Sequence, residues 1–171
     1  DNLNKIKVQG ICKEIDMPYN LTNCTTQPTT AQITLAFSNK IDNYETVPLN
    51  RTAIKQTINA GFPVVVAFFV DNKFYGDYWN SSNMNTVWST FGTPITDNLG
   101  NKSAHATVLY GWDDSKSAFR LLNSWGNGWG NTGSIWVDYS LVENNTVFLE
   151  AYKLVNSTST TTNNLTVTGD L

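Results

Sequence analysis

The chain has 171 residues, 40% of them hydrophobic and 15% charged, with a formal net charge of −3. That length allows one domain with a proper core or two small lobes. A mild acidic excess without a basic cluster argues against a nucleic-acid partner, no apolar run approaches a membrane span, and no signal peptide is visible.

The first residue is Asp rather than Met, so a processed piece or an excerpt is expected. Residues 1–28 are polar and interrupted by Pro18 and Pro28. Cys12 and Cys24 close a short polar loop there, as a disulfide or as a reduced pair. Eight N-x-S/T sequons begin at Asn20, Asn23, Asn50, Asn80, Asn101, Asn144, Asn156 and Asn164. Chance alone would give roughly four in a chain this rich in Asn, Ser and Thr, so they are glycosylation candidates. They point to an extracellular, secretory or lysosome-like compartment, where a Cys12–Cys24 disulfide would persist.

Residues 29–39 read as a short helix with Ile33, Ala36 and Phe37 on one side. Residues 50–60 read as a better one. Asn50 caps it, Ala53, Ile54, Thr57 and Ile58 form its buried stripe, and Gly61 and Pro63 end it. The run from Pro63 to Val70 reads as a strand covered on both faces. Residues 71–100 interleave Phe74, Tyr75, Tyr78, Trp79, Trp88 and Phe91 with Asn, Ser and Gly, which predicts a long loop with short strands. Its aromatics lack the basic residues of a nucleic-acid platform, so they pack on the core or wall a peptide groove.

His105 to Trp112 alternates, as does Ala118 to Asn123, and Asp113 to Ser117 is turn material. The two segments form an antiparallel hairpin. Pairing Trp112 with Ala118 sets Asn123 opposite Thr107, with His105 its diagonal neighbour. A carboxamide oxygen there would hold a ring N–H and fix the tautomer of a catalytic histidine. Beyond it, Gly126, Gly128 and Gly130 permit positive φ and close backbone approach, while Trp125 and Trp129 supply bulk to dry the site. Residues 134–139 and 147–154 read as further strands, and 156–171 as a Ser/Thr/Asn-rich tail or linker. His105 is the single histidine, and no residue cluster has metal-ligand spacing.

Asn123-Ser124-Trp125-Gly126-x-x-Trp129-Gly130-x-x-Gly133 resembles the asparagine signature of papain-like cysteine peptidases. His105-Ala106 with Gly111-Trp112 resembles the histidine segment of the same family, and Gly10-Ile11, Glu14 and Pro18-Tyr19 resemble a segment that follows its nucleophile. The resemblance covers residues 10–153. It implies an α+β papain-like domain over residues 1–155, with an antiparallel β-barrel lobe and an incomplete helical lobe. It makes His105 the acid/base, Asn123 its orienter and Trp125 the shield of their hydrogen bond. Ala67, with Ser103 and Ala104 nearby, would line the pocket for the substrate's second residue. No cofactor is implied.

Gln9-Gly10-Ile11-Cys12 superficially resembles the entry to the family's nucleophile, but Pro18 forbids the long helix that should follow. A thiolate needs a helix N-terminus or a cation to lower its pKa, and this setting offers little of either. Cys12 is therefore expected to be structural. The nucleophile is expected on an upstream segment or a separate chain, which becomes the principal partner beside a peptide or protein substrate. The chain alone is then inactive. The alternative is a non-catalytic papain-like module of a larger extracellular glycoprotein. A stand-alone barrel with a new role is disfavoured, because it would leave an apolar lobe interface open to water.

Overall fold

The computed structural model describes residues 2–19 and 25–156. They fall into two compact units, one running to Tyr44 and resuming at Leu154, the other spanning Glu45–Lys153.

The first unit holds two short helices, α1 (Asn2–Gln9) and α2 (Thr30–Phe37). Thr29 and Gln32 form a reciprocal capping box that fixes where α2 begins. The polar composition of the first 28 residues did not foretell α1. Gly10 ends it with φ +82°, and a Cβ there would lie 1.8 Å from the Ala36 carbonyl oxygen, so glycine alone permits this approach to α2. Cys12 is a free thiol, not half of the expected disulfide. Its Sγ donates to the Gln32 carbonyl at 3.0 Å, which satisfies the thiol within the unit; Cys24 lies outside the described residues. On the apolar sides of α1 and α2 a groove of about 1050 Å³ is lined by Val8, Ile11, Met17, Ile33 and Phe37, among others.

The second unit is built on a sheet. The strands are β1 (Asn43–Thr46), β2 (Val64–Phe69), β3 (Val87–Trp88), β4 (Ala104–Asp113), β5 (Ala118–Leu122), β6 (Ser134–Asp138) and β7 (Phe148–Val155). They lie in the order β1-β7-β2-β4-β5-β6-β3. Among the described residues the ladder is open and mixed, with β3 parallel to β6, rather than the closed antiparallel barrel expected. An α+β architecture it remains, with α3 (Arg51–Asn59), α4 (Asn72–Gly76) and α5 (Tyr139–Val142) beside the sheet. Asn50 caps α3 as the sequence implied, its Oδ1 accepting the Ala53 N–H at 2.9 Å.

One face of the sheet carries the core. Val64, Val66, Phe68, Leu109, Phe119, Leu121 and Ile135 are all fully buried there. Each such side chain contributes roughly 1.5–3 kcal/mol by leaving water. The other face of β2 (Val65, Ala67, Phe69) is half-exposed, so the strand is not covered on both faces as its apolar run suggested.

The β4–β5 hairpin differs instructively from the simple register. Near the turn, Asp113 pairs with Ala118 and Trp112 with Phe119, one step off the expected pairing. A bulge between Leu109 and Gly111 adds a residue to β4, and beyond it Leu109 faces Leu121 and Val108 faces Leu122. The expected register is thus restored at the end of the hairpin where it matters.

After β5 the chain turns through residues 123–133. Gly126, Gly130 and Gly133 have positive φ; Gly128 does not. A Cβ on Gly130 would lie 2.5 Å from the Ser134 carbonyl oxygen and 2.8 Å from Ile135, whereas one on Gly126 meets nothing within 4 Å.

Asp71, at the end of β2, is fully buried and acts as a hub. Oδ1 accepts the Phe74 N–H at 2.7 Å to cap α4, and Oδ2 accepts from Trp88 Nε1 at 3.3 Å and from the Gly92 N–H. Asp71→Ala strands these donors, and urea unfolding should show a loss of about 3 kcal/mol or more. Gly126→Ala should cost only about 1 kcal/mol, the ordinary expense of a left-handed backbone, in the same measurement. Gly130→Ala should cost at least twice that, because the backbone itself must move; equal losses would deny the clash.

Candidate active site

The site lies within the second unit, where β4 and β5 leave the core. His105 is half-buried on the core face of β4, directly opposite Phe68 of β2. Asn123, one residue past β5, shares the face of Phe119 and Leu121 and is 8% exposed. Its backbone N–H donates to the Gly133 carbonyl at 2.9 Å, which ties the end of the hairpin to the end of the glycine loop.

His105 Nε2 lies 2.9 Å from Asn123 Oδ1, and the Ser124 N–H donates to the same oxygen at 2.8 Å. A backbone N–H is only ever a donor, so the amide atom facing it must be the oxygen. His105 Nε2 must in turn carry a proton to bond that oxygen. In the neutral ring this leaves the lone pair on Nδ1, the nitrogen not held by Asn123.

Aromatic rings enclose the pair. Trp125 stacks on the imidazole at 5.1 Å and 30°, and Phe68 and Phe74 approach it edge-on at 6.0 Å and 5.9 Å. Phe74 is held from two sides, by the Asp71 cap and by Trp129, whose Nε1 donates to the Phe74 carbonyl at 3.3 Å. Trp129 is fully buried and packs on Trp125 and Tyr78. Burial pushes the Tyr78 phenol up to about 12, against the hydrogen bond from Thr86, so it stays neutral beside the site. No carboxylate takes part in the His105–Asn123–Ser124 hydrogen bonds, and no group of three or more His, Cys, Asp or Glu suited to a metal occurs among the described residues.

Sequence reasoning overlooked how far this shell extends. Trp79, 53% exposed, lies parallel to Trp125 at 6.5 Å and 3°, and Tyr75 meets the same indole edge-on at 5.8 Å. The aromatic excursion of residues 71–100 buries Phe74, Tyr78 and Trp88 and leaves Tyr75 and Trp79 exposed to solvent. Only the spacing of Phe74, Tyr75, Tyr78 and Trp79, one turn of helix apart, signalled this.

Ala67 pairs directly with Ala106, and Phe69 with Ala104, on the sheet face opposite to His105. Ser103 just precedes β4, its carbonyl accepting the Val70 N–H at 2.9 Å. Ala106, directly across from Ala67, is exposed on that face. Among the described residues no helix is long and apolar enough to cross a membrane.

The family model described as papain family cysteine protease matches residues 2–154. The chain is 28% identical over 130 residues to gamete and mating-type specific protein A of Dictyostelium discoideum, and 29% identical over 135 residues to a probable cysteine protease of Arabidopsis thaliana. Each match takes in 76% of this chain, which spans about a quarter (25%) of the length of either relative. The fold is that of xylellain, a cysteine protease from Xylella fastidiosa, with a TM-score of 0.72 at 24% identity over 90% of this chain and 59% of that one. A cysteine protease of Carica candamarcensis gives 0.58 at 20% identity, over 90% and 66% of the two chains. With the histidine–asparagine pair, its tryptophan cover and this fold all carried on residues within the matched span, the chain belongs to the papain family of cysteine proteases.

Proposed function

We propose that this chain supplies the acid/base half of a cysteine endopeptidase site, and that the attacking thiolate comes from upstream polypeptide, in the same chain or a second one. The observation that carries the reading is the His105–Asn123 contact, oriented by the Ser124 N–H and covered by Trp125. In such a site the thiolate sulfur bonds to the peptide carbonyl carbon. His105 Nδ1–H then protonates the departing amine as the C–N bond breaks, leaving a thioester. The neutral Nδ1 next takes a proton from water, whose oxygen attacks the thioester and expels the thiolate, restoring the ion pair. Through both steps Asn123 Oδ1 retains the Nε2–H, so the ring can change charge without turning.

A second observation supports an upstream partner. Val8, Ile11 and Phe37 line the groove of the first unit while 54–55% exposed, an apolar surface suited to a covering segment of polypeptide. The substrate would be a peptide or protein, with Ala67, Ala104 and Ser103 at the pocket for its second residue and Ala106 added to them. The sequons support an extracellular, secretory or lysosome-like compartment for the protein. Asn50, Asn80, Asn101, Asn144 and Asn156 are exposed, whereas Asn20, Asn23 and Asn164 lie outside the described residues.

Expressed alone, the chain should show no peptide turnover. Joined to its upstream segment, it should turn over a peptide substrate and be blocked by a thiol-reactive peptide inhibitor. His105→Ala should then lower kcat by about 10²–10⁴-fold, the usual worth of a positioned acid/base group. An upstream segment bearing Ser or Gly in place of the nucleophile would instead favour the non-catalytic module. Peptide mapping by mass spectrometry of native material should find glycan at Asn80 ahead of Asn101. Asn80 makes its local bonds through Oδ1, while the Asn101 Nδ2 is engaged with Asp97 at 3.0 Å.

A further inference from the structure

The contacts that orient His105 use only the oxygen of the Asn123 amide. Asn123 Nδ2 is buried with no hydrogen-bond partner in the protein, and so is the Thr107 hydroxyl; they are the two such side-chain atoms among the described residues. Thr107 is 5% exposed and Asn123 8%, so solvent serves neither. The β4–β5 ladder runs Leu109 to Leu121 and Val108 to Leu122, and its next step sets Thr107 opposite Asn123 on the core face. Residues so placed have Cβ atoms about 4.5–5.5 Å apart. Each group buried alone is costly. The amide N–H can only donate, and the hydroxyl oxygen can accept.

We propose that Thr107 is a positioning residue: its hydroxyl accepts the Asn123 Nδ2–H, after rotation about its Cα–Cβ bond or through one bridging water, and thereby locks the amide that holds His105. With Nδ2 held, the Asn123 amide cannot turn to present N–H to His105, and the Nε2–H tautomer is enforced from two residues away. This deepens the acid/base reading of His105 and rests on it. Valine would fill the same volume beside Val66, its neighbour across β2, so packing alone does not call for a hydroxyl here.

His105 is the single histidine, so the ring nitrogens of the ¹⁵N-labelled full chain give unambiguous NMR signals. Above the imidazole titration, the unmodified chain should show the Nε2–H tautomer in large excess. Thr107→Val should reduce that excess about fivefold, the equivalent of one hydrogen bond, and Thr107→Ser should restore it. An unchanged tautomer ratio in folded Thr107→Val overturns the proposal. Absence of the Nε2–H excess in the unmodified chain would instead overturn the acid/base geometry itself, so the two failures are told apart. Should Thr107→Val fail to fold, exchange of the Asn123 side-chain amide in the unmodified chain decides. Slow exchange, as for a bonded Nδ2–H, supports the proposal, and exchange at the rate of a free amide overturns it.

Discussion

Asn123 Oδ1 accepts two hydrogen bonds at once, one from its own chain's backbone at Ser124 and one from the His105 ring. The first makes the second unambiguous, because a fixed N–H donor settles which end of the amide faces the imidazole. Everything that matters chemically in this unit serves to keep that oxygen where it is. The β4–β5 ladder delivers the two residues to the same edge, the bulge at Tyr110 corrects their register, and the bond from Asn123 N–H to Gly133 pins the loop behind them. A one-residue slip would have turned the amide to the other face of the sheet.

Around this oxygen the protein assembles rings rather than charges. Trp125 covers the imidazole, Phe68 and Phe74 flank it, and Trp129 supports both Trp125 and Phe74. In such low-dielectric surroundings a hydrogen bond is electrostatically stronger than in water, and an unmet polar group is costlier. That is why the buried Asp71 carboxylate, with its donors from α4, Trp88 and the Gly92 backbone, belongs to the site's support although it does not bond His105. It fixes α4, and α4 carries Phe74. The exposed pair Tyr75 and Trp79 extends the same shell to the solvent, giving the site an aromatic rim.

The first unit has a different physical problem. Its helices are short, and their apolar sides face a groove instead of a core. Eight-residue helices gain little from propensity alone and depend on packing for stability. Under the proposed function a covering segment would complete this helical unit. Cys12 does not suggest itself as the nucleophile, since its thiol already donates to the Gln32 carbonyl.

The sequence by itself determined the local elements and the chemistry of the hairpin. Alternation marked β4 and β5, Asn50 and Gly61 bounded α3, and the residues from Asn123 to Gly133 carried the family resemblance, because each of these signals arises among near neighbours. What the sequence did not determine depended on partners distant along the chain. The helix Asn2–Gln9 was invisible because its end is decided by the approach of Gly10 to Ala36. The disulfide expected from a short loop gave way to a thiol bonded across to α2. Whether the sheet closes, and which face of β2 is covered, are matters of strand order that no local pattern encodes. The bulge in β4 likewise follows from fitting Trp112 against Phe119 and Leu109 against Leu121 at once. Thr107 looked like any strand residue, and the role proposed for its buried hydroxyl emerged only when tertiary pairing set an unmet amide across from it.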